Sequence, residues 1–166
     1  MMMNELKDPV IFQDLDGCLA DFERGVKEVT GKFPHEQKMK DMWSALARTD
    51  EFYANLDWMS DGKNLWDFVK KFNPTILTGV PMGRWASGQK RNWCGRELGW
   101  DVPVITGWAK EKHIDAMNLR GTDNLNGAIL IDDREKTKAA WEQSGGVFLL
   151  HTSTASTLAL LKKMGI

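Results

Sequence analysis

Cysteine is almost absent from this chain of 166 residues, which carries only Cys18 and Cys94 and has neither a CxxC pair nor a Cys/His cluster. Neither a disulfide framework nor a zinc site is indicated, and both thiols are expected to stay reduced. Net charge is nearly absent too. Lys and Arg number 22 against 23 Asp and Glu, a formal −1, so the chain lacks the basic excess that holds long nucleic acid by counterion release. It also lacks an apolar run of about 18 residues, the length needed to cross a bilayer. The opening MMMNELKDP lacks the basic-then-apolar layout of a secretory leader. The expectation is a cytoplasmic protein with no membrane partner. The three histidines, His35, His113 and His151, are scattered, no Ser or Cys sits in a triad-like pattern, and there is no internal repeat, linker or low-complexity tract.

What is present suits one well-cored domain with a small insertion. Apolar residues make up 42% and charged residues 27%, ordinary for a globular protein. Eight tryptophans are unusual for this length. Most lie outside the apolar runs, where packing of helices against a sheet accounts for them.

Short apolar runs recur at 9–13, 75–77, 102–105, 128–131 and 147–150, and they predict five buried strands. Between them Phe22, Val26 and Val29 repeat at i, i+4, i+7, and Leu65, Trp66, Phe68, Val69 and Phe72 form a second stripe. Further helices are predicted over 86–98, 112–119, 135–143 and 156–164. Strand alternating with helix gives an α/β fold, a Rossmann-like parallel five-stranded sheet with helices on both faces and ligands beyond the carboxyl ends of the strands. One interval breaks the rhythm. Residues 22–73 have helical patterning and no convincing strand, so they are expected to form a helical cap inserted after the first strand, over a core of 1–21 and 74–166.

The chemistry-bearing residues fall just after the apolar runs. In VIFQDLDG, Asp14 and Asp16 leave the first strand on one side, with Gly17 permitting a sharp turn. Two adjacent carboxylates repel unless a cation joins them, and oxygen donors of this kind suit Mg²⁺. A solvated Asp-x-Asp-Gly turn is the plainer reading of those four residues alone. A second acid pair, Asp132-Asp133, ends GAILIDD, and a third run ends in Thr78-Gly79, a hydroxyl followed by a glycine that lets backbone N–H groups approach an anion. Before the second acid pair lies AKEKH, whose Lys110 and Lys112 compete for the role of a phosphate-neutralising cation.

The order Asp-x-Asp-Gly, strand-Thr-Gly, Lys, strand-Asp-Asp resembles the four motifs of the haloacid dehalogenase superfamily of phosphohydrolases. That resemblance implies Asp14 as a nucleophile that takes up phosphate and Asp16 as general acid/base. It implies phosphate binding by Thr78, Gly79 and Lys112, and a Mg²⁺ site formed by Asp14, the Asp16 carbonyl and Asp132. Lys112 is preferred to Lys110 because AKEK is placed like the corresponding segment of the deoxyribonucleotidases. Asp133 and Arg134 would support the site from behind. Cys18 departs from the pattern, standing where family members often carry Thr or Val. An Asp at position 16 favours phosphatase over dehalogenase chemistry.

More narrowly, DLDGCLADFERG, EFYANL and LIDDR look like the cytosolic and mitochondrial deoxyribonucleotidases. This implies a 5′-nucleotidase acting on nucleoside monophosphates, with Phe22, Trp43, Phe52 and Tyr53 as candidates to stack on a base. Core packing is the competing reading for each of these rings. Asp21 is expected to cap the helix from Phe22. A phosphatase of another small phosphoester, a polynucleotide 3′-phosphatase and a catalytically silent binding module on the same core are the alternatives, and the sequence leaves a homodimer open.

Overall fold

The computed structural model describes residues 9–166. The reading of MMMNELKDP falls almost wholly outside them. Five strands, β1 (Val10–Gln13), β2 (Thr75–Gly79), β3 (Val104–Gly107), β4 (Ala128–Asp132) and β5 (Val147–Leu150), pair in the order β3-β2-β1-β4-β5, every pair parallel. Parallel neighbours need crossovers, and here these are helical. The helices are α1 (Phe22–Thr30), α2 (Met39–Ala47), α3 (Gly62–Val69), α4 (Trp85–Glu97), α5 (Lys112–Arg120), α6 (Lys138–Gln143) and α7 (Thr154–Lys163). Among the described residues, no helix is long and apolar enough to cross a membrane.

Period-two alternation splits the strand residues between two cores. Ile11, Ile76, Ile129, Ile131 and Leu149 face one side, where Leu65 and Val69 of α3, Trp93 of α4 and Leu161 of α7 cover them. Phe12, Leu77, Leu130 and Phe148 face the other, under Ala116 of α5 and Trp141 of α6. The strands are buried on both faces, which is why they read as continuous apolar runs.

Several elements differ from the sequence expectation. The third strand starts two residues later than expected because Pro103 has no N–H to donate; its carbonyl accepts from the Ile76 N–H at 2.9 Å, and the ladder proper begins with Ile76 opposite Val104. β2 and β3 then run together to Gly79 and Gly107, two residues beyond the apolar runs. The helix expected over 135–143 opens as a 3₁₀ turn, 135–137, before α6. α3 lies within the span expected for the cap, yet it packs on α7 and belongs to the layer over the sheet. What projects beyond that layer is α1, α2 and the turns that follow, and their Val26, Met42, Leu46 and Phe52 are continuous with the sheet's own core.

The inserted segment is also stitched to the core by hydrogen bonds. Along one face of α4, Gln89 Oε1 accepts from the Tyr53 N–H at 2.8 Å, Trp93 Nε1 donates to the Leu56 carbonyl at 2.8 Å, and Arg96 donates to the Ala54 carbonyl. Positions 89, 93 and 96 follow helical spacing, so a single rigid helix clamps the returning chain at three points.

Candidate active site

The site lies beyond the carboxyl ends of β1, β2 and β4. β1 is the central strand, and the parallel sheet reverses its winding beside it, the position where such sheets open a crevice. After β1 the chain turns tightly. The N–H groups of Cys18, Leu19 and Ala20 all point to the Leu15 carbonyl, and Gly17 sits in the left-handed region at φ +80°. A side chain at Gly17 would be strained, and its Cβ would fall 2.1 Å from Asp133 Oδ2. This glycine therefore admits the second acid pair to the first.

Asp14 is almost fully buried. Its Oδ1 accepts from Lys112 Nζ at 2.9 Å, and the same ammonium donates to Asp132 Oδ2 at 2.7 Å. Strand alternation explains the bridge. Asp14 and Asp132 continue the side of the sheet that carries Phe12 and Leu130, and that is the side on which α5 begins with Lys112. α5 can start so close because Gly79 has no side chain; a Cβ there would lie 2.9 Å from Ala109 Cβ. Burial pulls the Lys112 ammonium down, but Asp14 and Asp132 outweigh it and hold the group well above its ordinary range. Lys110, the competing lysine, is exposed on the 3₁₀ turn at 109–111.

The two acids of the second pair, assigned by the sequence reading to the metal and to a supporting place, are set differently from each other. Asp132, assigned there to the metal, is fully buried, and its carboxylate is occupied by Lys112, by the Thr137 hydroxyl at 3.0 Å and by the Arg134 N–H at 3.0 Å. The acid that turns toward Asp14 is Asp133, expected only as a supporting residue. Carboxylate oxygens of Asp14 and Asp133 and the Cys18 sulfur lie within 4.8 Å of one another. Asp133 is exposed as a residue, yet desolvation of its carboxyl, the Asp14 charge and a hydrogen bond to Asp14 push that carboxyl above the usual carboxylate range. Burial and Asp14 also raise Asp132. Burial drives the Cys18 thiol well up, so it stays a neutral S–H facing Asp14 Oδ2 at 3.8 Å.

Of the other predicted residues, Gly79 and Arg134 line the cavity, Arg134 at its exposed mouth. Thr78 does not line it; its hydroxyl is buried and accepts from Lys90. Phe22, Trp43 and Tyr53 form one wall, with Phe22 stacked on Tyr53 at 5.9 Å and tilted against Trp43 at 5.8 Å. Phe52 is packed behind them against Tyr53 at 5.0 Å and does not reach the cavity, so for this ring the core reading holds. Burial and Asp16 raise the Tyr53 hydroxyl's pKa. Asp21 caps α1, accepting from the Arg24 N–H at 3.2 Å, and does not line this cavity.

Sequence reasoning missed Lys90 altogether. It sits in α4, 1% exposed, and donates to Asp16 Oδ2 at 2.6 Å, to Thr78 Oγ1 at 2.9 Å and to the Gly79 carbonyl at 2.5 Å. Only the helical period offered a signal, since Lys90 is four residues from Ala86 and from Cys94 on the buried face.

No protein-family model and no curated protein matches the chain. Solved structures do. A haloacid dehalogenase family hydrolase from Deinococcus radiodurans, solved with bound phosphate and sodium, superposes with a TM-score of 0.63 at 14% identity, covering 95% of this chain and 96% of that one. The fold is that of the haloacid dehalogenase-like hydrolases. A second such hydrolase, from Streptococcus pneumoniae, gives 0.60 at 10% identity over 92% of this chain and 98% of that one. L-2-haloacid dehalogenase from Xanthobacter autotrophicus gives 0.57 at 12% identity, over 84% and 76%. The haloacid dehalogenase-like fold thus extends over nearly the whole chain.

Proposed function

We propose that this chain hydrolyses phosphomonoesters through a phosphoryl group carried transiently on Asp14, with Mg²⁺ as cofactor and a nucleoside 5′-monophosphate as substrate. The observation that carries the reading is the convergence of Asp14, Asp16, Lys112 and Asp133 from three separate segments on one cavity at the sheet's carboxyl edge. Asp14 presents a carboxylate whose Oδ1 is held by Lys112, so attack on phosphorus comes from an oriented group. Asp16 gives its proton to the departing ester oxygen, then takes one from the water that cleaves the Asp14–phosphate bond. Lys112, at the cavity wall, offsets charge as the phosphoryl group transfers.

The donor set fits a divalent cation. Carboxylate oxygens of Asp14 and Asp133 lie within 4.8 Å of each other, and hard oxygen donors in that arrangement suit Mg²⁺, with the Asp16 carbonyl as a third donor. When bound, the ion would neutralise the two carboxylates and polarise the phosphoryl oxygens. The phosphate bound to the Deinococcus radiodurans hydrolase supports the choice of substrate class. A dehalogenase is among the structural relatives, but the second acid, Asp16, has work only where a leaving oxygen needs a proton. The ring wall of Phe22, Trp43 and Tyr53 beside the cavity supports a flat leaving group.

A phosphate-release panel with Mg²⁺ or EDTA tests this. Nucleoside 5′-monophosphates should lead the panel, and Asp14→Asn should abolish turnover. Turnover that survives Asp14→Asn would sink the mechanism. Nucleotides no better than sugar phosphates would sink the substrate assignment alone.

A further inference from the structure

Among the described residues, Lys90 is the one fully buried lysine or arginine that the four strand-end motifs do not include, and its surroundings are specific. Its ammonium touches three groups at the catalytic edge, Asp16 Oδ2, Thr78 Oγ1 and the Gly79 carbonyl, and stands 4.5 Å over the Tyr53 ring. It thereby joins the end of β2, the loop after β1 and the cap wall through a single side chain projecting from α4. The two oxygens of Asp16 are treated differently. Oδ2 is held by Lys90, whereas Oδ1 is buried with no hydrogen-bond partner among the described residues. A buried carboxylate oxygen left unpartnered is costly and calls for an explanation.

We infer that Lys90 is a positioning residue for the acid/base step: it fixes Asp16 through Oδ2 and reserves Oδ1 for the proton. This rests on the phosphatase reading above. As an Asp14 oxygen bonds to phosphorus, the ester P–O bond breaks and the Oδ1 proton passes to the leaving oxygen, giving the free alcohol. In the second half, water loses a proton to Oδ1 while its oxygen bonds to phosphorus, and the bond to Asp14 breaks to release orthophosphate. A carboxyl free to swing would divide its time between orientations. Lys90, locked by three acceptors and sealed from solvent by Tyr53, allows one.

Leaving groups discriminate this role from mere structural support. p-Nitrophenolate departs without a proton, whereas an alkoxide needs one. Steady-state kinetics of Lys90→Met would be compared with wild type on p-nitrophenyl phosphate and on the alkyl ester that wild type hydrolyses best among nucleoside 5′-monophosphates, sugar phosphates and β-glycerophosphate. The expected result is a fall in kcat/KM of about 100-fold for the alkyl ester, the low end for loss of acid catalysis. For p-nitrophenyl phosphate kcat/KM should stay within about threefold, because it reports only the first half-reaction, while kcat falls and phosphorylated enzyme accumulates. Equal losses in kcat/KM on both esters, or no loss on either, would overturn the inference.

Because Lys90→Met strands a partly buried carboxylate, a second comparison uses the neutral pair Asp16→Asn/Lys90→Gln, in which amide can bond to amide. If Lys90 acts through Asp16, the double variant is no slower on the alkyl ester than Asp16→Asn alone; a further loss as large as that of Lys90→Gln by itself would overturn the inference. A wild-type chain that turns over neither ester would instead bring down the phosphatase reading on which the role of Lys90 depends.

Discussion

Replacing Lys112 by Met removes one positive charge from between two buried negative ones, and the structure sets the scale of the damage. The ammonium lies 2.9 Å from Asp14 and 2.7 Å from Asp132, with the three side chains 5%, 7% and 1% exposed. Breaking a buried pair by deleting one partner costs about 3–5 kcal/mol, because the survivor is left charged and dry. The lower end applies here. Asp132 keeps its bonds from Thr137 and Arg134, and either carboxylate can relieve itself by taking up a proton. A loss of about 3 kcal/mol corresponds to a fall in Tm of roughly 6–12 °C for a chain of this size.

The pH dependence carries the sharper test. Lys112 is held above its ordinary range, so its stabilisation is complete below that range and is lost only in strong alkali; it contributes no slope near neutrality. Asp132 is raised by burial and Asp14. The folded state therefore binds the Asp132 proton more tightly than the unfolded chain does, and stability falls as pH climbs above the ordinary carboxylate range. Without Lys112, Asp132 keeps that proton to still higher pH, so the variant should lose stability more steeply than wild type. Urea melts followed by tryptophan fluorescence, at pH 5.5 and pH 8, should show a larger gap at pH 8. A cost below about 1 kcal/mol, or a gap independent of pH, would refute the buried-bridge argument. Lys110→Met, on the exposed turn, serves as the control and should stay within about 0.5 kcal/mol of wild type.

Two further outcomes follow from the second acid pair. The carboxyl of the exposed Asp133 is raised by desolvation and by the Asp14 charge, so with EDTA present Tm should decline modestly from pH 5.5 to pH 8.5, and Mg²⁺ should flatten that decline by offsetting the two facing charges; an unchanged slope with Mg²⁺ would argue against a cation between Asp14 and Asp133. Gly17→Ala forces an L side chain to φ +80° and drives its Cβ against Asp133 Oδ2. The strain alone costs about 1–2 kcal/mol, and the displaced carboxylate should abolish the Mg²⁺-induced rise in Tm; a full Mg²⁺ response in that variant would show that Asp133 is not held where the geometry places it.

The strands, their parallel pairing and the acid-tipped ends of β1 and β4 were legible in the sequence for a local reason. A strand buried on both faces must be continuously apolar, and its first polar residue marks where the sheet stops and a crevice can begin. Asp14 and Asp16, which alternation would put on one side, both line the cavity. What no local pattern contains is which neighbour meets which acid. Asp132 and Asp133 are adjacent and chemically identical, and only the register of β4 against β1, with α5 arriving on one side, sends Asp132 to Lys112 and Asp133 toward Asp14. Phe52 and Tyr53 are adjacent aromatics as well, and packing alone turns one into the core and the other toward the cavity. Lys90 is the plainest case. In sequence it is one lysine among the polar residues of α4, 74 positions from Asp16, and its burial exists only because the fold closes β2, the β1 loop and Tyr53 around it. The hydrophobic pattern is set by short-range periodicity, so a single chain reveals it; the pairing of buried charges is set by contacts between distant segments, so it became visible only once those segments were packed.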